Sequence, residues 1–147
     1  PNTPAMIGAG ITGVAPGEQV TEKETAQLLR LLSALGETEI VPERLMDVVG
    51  SVSGCSPAYV FMFIEAMADA AVADGMPRAQ AYHFAAQAVL GSAEMVLKTG
   101  RHPGELKDMV CSPGGTTIEG LSVLEEKGMR SAVIDALRAC TRKSKGI

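Results

Sequence analysis

The sequence predicts a mainly α chain opened by a short strand–helix–strand unit. After Pro42, apolar residues recur at helical spacing almost without interruption; before it, two short alternating runs flank one amphipathic stretch. Composition agrees with a packed, helix-rich protein. Hydrophobic residues make up 46% of the 147 residues, aromatics only 3%, and Trp is absent. That much apolar surface excludes intrinsic disorder. The length suits one domain, or one domain and a piece of another. A core so poor in large side chains must be built from Ala, Leu, Val, Met and Ile.

Residues 11–15 alternate loosely and predict a first strand, ended by Pro16 and Gly17. Thr21 opens a helix, with Glu24 three residues on completing a capping box. Ala26, Leu28, Leu29, Leu31, Leu32 and Leu35 give that helix an apolar stripe, and Gly36 is the expected C′ residue. Residues 37–41 alternate as a second strand, ended by Pro42. Two strands make no stable sheet alone, so this unit reads as the edge of a larger α/β domain.

From Pro42 onward only helices are predicted. A short one covers 43–50, and Ser51–Ser56 reads as a small-residue linker. Pro57 suits the first turn of a helix reaching Asp74, where Gly75 closes it. Pro77 opens a helix over 78–99, with Gly91 inside it and Gly100 ending it. Pro103 opens a short helix through Val110, and 112–115 form a loop. Thr116 or Thr117 caps the next helix, which Gly128 closes after Lys127; a last helix spans 129–144. The boundary at Pro42 therefore divides a remnant of an α/β domain, 1–42, from an all-helical domain, 43–147. The helices at 57–74 and 78–99 are apolar nearly all round, which predicts an intertwined homodimer.

The net charge is −4, and no basic stripe is present, which argues against a nucleic-acid partner. The longest uncharged run, Val48–Ile64, holds Gly50, Gly54, Pro57 and three Ser, which argues against a membrane span. Three cysteines, Cys55, Cys111 and Cys140, show no metal or disulfide spacing. They read as reduced, small buried hydrophobes of a cytoplasmic protein. No metal site is expected at His83 or His102.

The most informative segment is Val110-Cys111-Ser112-Pro113-Gly114-Gly115-Thr116-Thr117-Ile118. It sets two glycines directly before a helix start. Glycine leaves backbone amides uncovered, and the first amides of a helix lack internal partners and lie at its positive end. Together they make a socket for a small anion such as a carboxylate, with hydroxyls from Ser112, Thr116 and Thr117 at its rim. A plain interhelix turn with a threonine cap is the alternative reading. There is no Ser/His/Asp set, no catalytic carboxylate pair and no GxGxxG fingerprint.

That segment, together with Pro103-Gly104-Glu105-Leu106-Lys107-Asp108 before it and Glu119-Gly120-Leu121 after it, resembles the signature of the pyrroline-5-carboxylate reductases. Pro1-Asn2-Thr3-Pro4, Ser56-Pro57-Ala58-Tyr59, Glu65-Ala66, Asp69-Ala70 and Gly75-Met76-Pro77-Arg78 match in the same order. The resemblance runs from Pro1 to about residue 140. One departure is local: Gly54-Cys55-Ser56-Pro57 stands where the family has a Gly-Ser-Gly-Pro-like segment. The other is the missing glycine fingerprint, so the chain resembles roughly the C-terminal half of a family member.

The resemblance implies a helical dimerisation domain of the kind found at the C-terminus of 6-phosphogluconate dehydrogenase, preceded by a β-α-β remnant of a Rossmann domain. It implies reduction of 1-pyrroline-5-carboxylate to L-proline with NADPH or NADH, in a homodimer whose assembly into larger rings the sequence leaves open. Val110, Ser112, Gly114, Gly115, Thr116 and Thr117 would bind substrate, Thr117 acting on the imine nitrogen. Asn2, Thr3 and Pro4 would lie by the cofactor. Most of the cofactor's site would belong to a Rossmann domain outside these residues, and the chain alone would be inactive. A non-enzymatic dimerisation module, or another imine or hydroxyacid reductase, are the alternatives.

Overall fold

The computed structural model describes residues 1–146 and is 73% helical. After a 3-10 turn at Thr3–Ile7, strand β1 covers Gly10–Val14 and helix α1 covers Glu22–Leu32. Strand β2 follows at Gly36–Ile40. Helices α2 (Met46–Val49), α3 (Ser56–Ala73), α4 (Arg78–Thr99), α5 (Pro103–Met109), α6 (Thr116–Glu126) and α7 (Met129–Ser144) complete the chain. By internal contacts it forms two units, Pro1–Tyr59 with Ile134–Ile147, and Val60–Val133.

In the first unit β1 and β2 pair in parallel, Gly10 opposite Gly36 and Val14 opposite Ile40. Both strands lie one residue earlier than the alternation predicted. The capping box forms as expected: Thr21 Oγ1 accepts from the Glu24 amide at 3.3 Å, while the Glu24 carboxylate accepts from the Thr21 amide at 2.9 Å. The Thr21 hydroxyl, donating at 2.7 Å, and the Thr21 amide together hold the Glu24 carboxyl below the ordinary glutamate range.

Gly36 is not the C′ residue of α1. The helix ends at Leu32, a 3-10 turn covers Ser33–Leu35, and Gly36 starts β2 with φ +127°. A Cβ there would run into the Gly10 backbone, so the strand pair requires glycine by conformation and by space.

The expected linker at Ser51–Ser56 is helical. A 3-10 turn at Glu43–Leu45, α2, a π-helical segment at Gly50–Cys55 and α3 run on as one helix of 31 residues, Glu43–Ala73. Small polar residues suggested a break, but their hydroxyls turn inward along the helix. Ser51 Oγ donates to the Asp47 carbonyl at 2.9 Å, Ser53 Oγ to that of Val49 at 2.7 Å, and Ser56 Oγ to that of Val52. Pro57 therefore lies within a continuous helix rather than at its start. Its most apolar stretch has a mean hydropathy of 1.3, so by length and composition this helix could cross a membrane.

The last turns of α7 lie along the same segment of the first unit. Thr141 donates to Ser51 Oγ at 2.8 Å, and Ser144 to Asp47 Oδ1 at 2.5 Å. In the second unit α4 has the predicted ends, with Pro77 at its N-cap and Gly100 in the left-handed region at φ +64°. The Arg78 guanidinium pairs with Asp69 and stacks 5.5 Å from the Tyr82 ring centroid.

Buried apolar residues are few: Val14, Ala68, Ala81 and Ala85. No large side chain is fully buried among the described residues. Phe61 and Met62 of α3 are 60% and 66% exposed, Phe84 and Leu97 of α4 64% and 80%. A run of exposed apolar side chains on this scale marks an interaction surface.

Candidate substrate-binding turn

Residues 107–117 build one compact turn and helix start in the second unit. The last amides of α5 fold back, Val110 N–H donating to the Lys107 carbonyl at 3.2 Å and Cys111 N–H to that of Asp108 at 3.0 Å. Ser112, Pro113, Gly114 and Gly115 then reverse the chain, closed by Gly115 N–H donating to the Ser112 carbonyl at 3.0 Å. Pro113 supplies the fixed φ of the second position, and Gly114, at φ +68°, the left-handed third. Proline followed by glycine is what a type II turn asks of its central pair.

Gly115 is glycine for another reason. Its backbone is extended, but a Cβ would collide with Ser112 Oγ and stand 3.1 Å from the Ser112 carbonyl. The serine hydroxyl thus lies directly over the entry to α6. Gly115 is also the N-cap, in place of the threonine cap expected at 116 or 117, and no side chain caps the helix. Glycine offers no oxygen to its own helix, so the first amides of α6 remain open to an incoming acceptor. Thr116, Thr117 and Ser112 are exposed around them.

Lys107, at the start of this segment, is paired with Asp108 at 2.5 Å, which keeps its ammonium above the ordinary lysine range. What the turn itself offers an anion is the helix end and the hydroxyls. Among the described residues, no group of three or more His, Cys, Asp or Glu could hold a metal.

Of the predicted residues, the structure brings Ser112, Gly114, Gly115, Thr116 and Thr117 into this turn, with Val110 exposed just before it. Asn2, Thr3 and Pro4 belong to the other unit. There the Asn2 side chain is committed at both ends. Its Oδ1 accepts from the Ile11 amide at 3.0 Å, and its Nδ2 donates to the Ser53 carbonyl at 2.9 Å. Thr3 is exposed. Tyr59 and Cys140 also meet, with Tyr59 Oη 2.9 Å from Cys140 Sγ. Separated by 81 residues, they gave no local signal.

A family model described as pyrroline-5-carboxylate reductase dimerisation matches residues 43–147. The chain belongs to that family. Curated pyrroline-5-carboxylate reductases are similar along nearly its whole length: that of Escherichia coli is 65% identical over 144 residues, 98% of this chain, and that of Arabidopsis thaliana 45% identical over 99%. The chain spans about half the length of these relatives, 54% of the bacterial one and 52% of the plant one. Solved structures agree. The reductase of Coxiella burnetii superposes with a TM-score of 0.94 at 35% identity, covering 99% of this chain and 54% of that one. The Plasmodium falciparum enzyme, solved with NADP bound, gives 0.92 at 35% identity, covering 99% and 60%. The helical part, 43–147, is thus a pyrroline-5-carboxylate reductase dimerisation fold, and the parallel strand pair before it superposes with the solved reductases as well.

Proposed function

We propose that the chain is the substrate-binding and dimerising part of a reductase that converts 1-pyrroline-5-carboxylate to L-proline with NADPH or NADH. The observation that carries this reading is the uncapped start of α6 behind the Ser112–Gly115 turn. The substrate has a carboxylate at one end of a small ring and an imine beside it. The open amides of Thr116 and Thr117 receive the carboxylate, as a helix start receives anions, while the Gly115 amide, expected to share it, closes the turn onto the Ser112 carbonyl. Ser112 and Thr116 add hydroxyl donors; Val110 and Gly114 shape the wall. The Thr117 hydroxyl hydrogen-bonds the imine nitrogen, where a proton makes the carbon a better electrophile.

The nicotinamide cofactor, when bound, supplies the hydride that reduces that carbon. Its main site belongs to a dinucleotide-binding domain of which 1–42 is the last strand–helix–strand, with 43–147 as the helical domain. Within 1–42 the Thr3 hydroxyl and Pro4 are free to line the cofactor. Asn2 serves by fixing the segment that carries them, since its own amide is occupied. The exposed Phe61, Met62, Phe84 and Leu97 are covered by a second copy, giving a homodimer. Free cysteines fit a reducing cytoplasm.

The test joins the upstream part of the E. coli relative in register to Pro1 and follows NADPH oxidation with pyrroline-5-carboxylate. Turnover by the fusion and none by the chain alone is the expected result. No turnover by a folded, dimeric fusion that still binds NADPH would overturn the substrate assignment.

A further inference from the structure

Helix α7 turns one side to the helix it lies along and leaves a groove beside it. On the contact side Tyr59 Oη meets Cys140 Sγ, Thr141 donates to Ser51 and Ser144 to Asp47. Cys140 is half-buried there, as Cys55 and Cys111 are, so the cysteines are not the fully buried hydrophobes their sequence suggested. The groove holds about 410 Å³, with Val48, Val52, Ile134 and Leu137 as its floor and Arg138 and Arg142 at its rim. Val48, Val52 and Ile134 are exposed in it. The two arginines stand one helical turn apart on α7, and among the described residues no ion pair holds either. All six residues belong to the first unit. An apolar floor beside two uncommitted cations fits a partner that is apolar with an anionic edge.

The second unit carries a surface of that kind. On α6, Thr116, Glu119, Gly120 and Val123 recur at helical spacing and share one exposed face. Glu125 and Glu126 are paired with Arg130 and Lys127, whereas no ion pair among the described residues holds Glu119. Gly120 points the same way independently. Glycine weakens a helix interior, yet a Cβ at this position would meet nothing of its own chain within 4 Å. Open space above a helical glycine suits the close approach of a second helix. The lengths also match, since Thr116 to Val123 spans about 10 Å along α6 and Ile134 to Arg142 about 12 Å along α7. We propose that the groove between α7 and residues 48–52 receives α6 of a second copy, with Gly120 over the valines and Glu119 between Arg138 and Arg142. One chain carries both surfaces, so a two-fold axis makes the contact twice. The assignment rests on the homodimer of the proposed function and names one of its contacts.

The experiment follows the full chain by sedimentation velocity over a dilution series, with circular dichroism as the check on folding. The parent chain is expected to be dimeric. Glu119→Arg and, separately, the double variant Arg138→Glu with Arg142→Glu each raise the dimer Kd by about tenfold or more, because like charges then face each other. An equimolar mixture of the two recovers the dimer, since both contacts of the mixed pair again join opposite charges. Gly120→Leu, which has room within its own chain, raises the Kd without loss of helix. It carries the test alone where a charge reversal costs helix content. A dimeric parent whose Kd none of these variants changes, or variants whose mixture does not recover, would overturn this contact and leave the homodimer standing. A parent that stays monomeric throughout the series would overturn both.

Discussion

The Asn2 side-chain amide donates to the Ser53 carbonyl, and Ser53 lies four residues before Pro57. In an α-helix that carbonyl would accept from the amide of residue 57, but proline has none. An asparagine 51 residues away supplies the missing donor. Its other end, Oδ1, accepts from the Ile11 amide in β1. One side chain thus joins the sheet to the helix at the position where the helix lacks its own bond. Asn2→Ala should lower stability by about 1–3 kcal/mol, the cost of leaving such groups unpaired. Asn2→Asp should do no better, because it keeps the acceptor but loses the donor. Urea denaturation checks both; an unchanged midpoint for Asn2→Ala would remove the strut from the account.

A methyl group at position 115 meets Ser112 Oγ and its carbonyl. Gly115→Ala should therefore cost about 1–3 kcal/mol through overpacking, although its φ of −78° suits any residue. Ser112→Ala removes half of the collision. The double variant should recover part of the loss, a coupling that a double-mutant cycle on the melting midpoint reads directly. Strictly additive losses would show that the serine side chain does not lie over the helix entry.

In the fusion enzyme, Thr117→Ala should lower kcat/KM by about 10²–10⁴-fold, the range for losing a proton-handling group. Thr117→Ser should retain most of the rate, because the hydroxyl is what acts. Binding of L-proline, which uses the backbone amides, should change far less. Equal losses in Thr117→Ala and Thr117→Ser would mean that the methyl group, not the hydroxyl, matters.

The hydrogen bond to Cys140, with burial, pushes the Tyr59 phenol up to about 12. An acid raised on folding is favoured in its protonated form by the fold. The stability this gives is complete below the ordinary tyrosine value of 10.0 and disappears as the pH climbs from there towards 12. Alkaline titration of tyrosinate absorbance in a Tyr82→Phe background should show the late transition. Cys140→Ala should move it down towards the ordinary value.

Glu24 has the opposite sign. Its carboxyl is lowered by Thr21, so its contribution is present above the ordinary glutamate value of 4.5 and is lost as the pH falls through the lower folded value. Thr21→Ala should cost about 1 kcal/mol at neutral pH, and the difference from the parent chain should shrink in acid. A difference independent of pH would mean that the Thr21 hydroxyl acts without the Glu24 charge.

Where a signal was local, the sequence was readable. Pro77 and Gly100 bracket α4, Thr21 and Glu24 start α1, and Pro113-Gly114 announces the turn that opens the candidate site. The misreadings have distant causes. Ser51–Ser56 looked like a linker because serine and glycine usually interrupt helices. Nothing nearby shows that the hydroxyls bond back along the helix, or that Asn2 and Thr141 hold it from outside. The cap of α6 was assigned to threonine by propensity. The structure gives that place to Gly115, because Ser112 leaves no room for a side chain, and so the Thr116 and Thr117 amides stay open. The meeting of Tyr59 with Cys140 depends on where α7 returns, which no window of sequence contains.

The six-residue π segment at Gly50–Cys55 also bears on how this chain changes length. A π turn is an α-helix that has absorbed an extra residue without breaking. Deleting Gly54 would give that residue back. The helix would remain continuous, and the wide turn would close to an ordinary α turn with α3 keeping nearly its present orientation relative to Met46–Val49. A deletion in the regular turns of α3 has no such reserve: everything beyond it would turn by about 100° and move by about 1.5 Å. A change in length of one residue is therefore absorbed in this segment and felt by every apolar side chain downstream when it falls a few residues later.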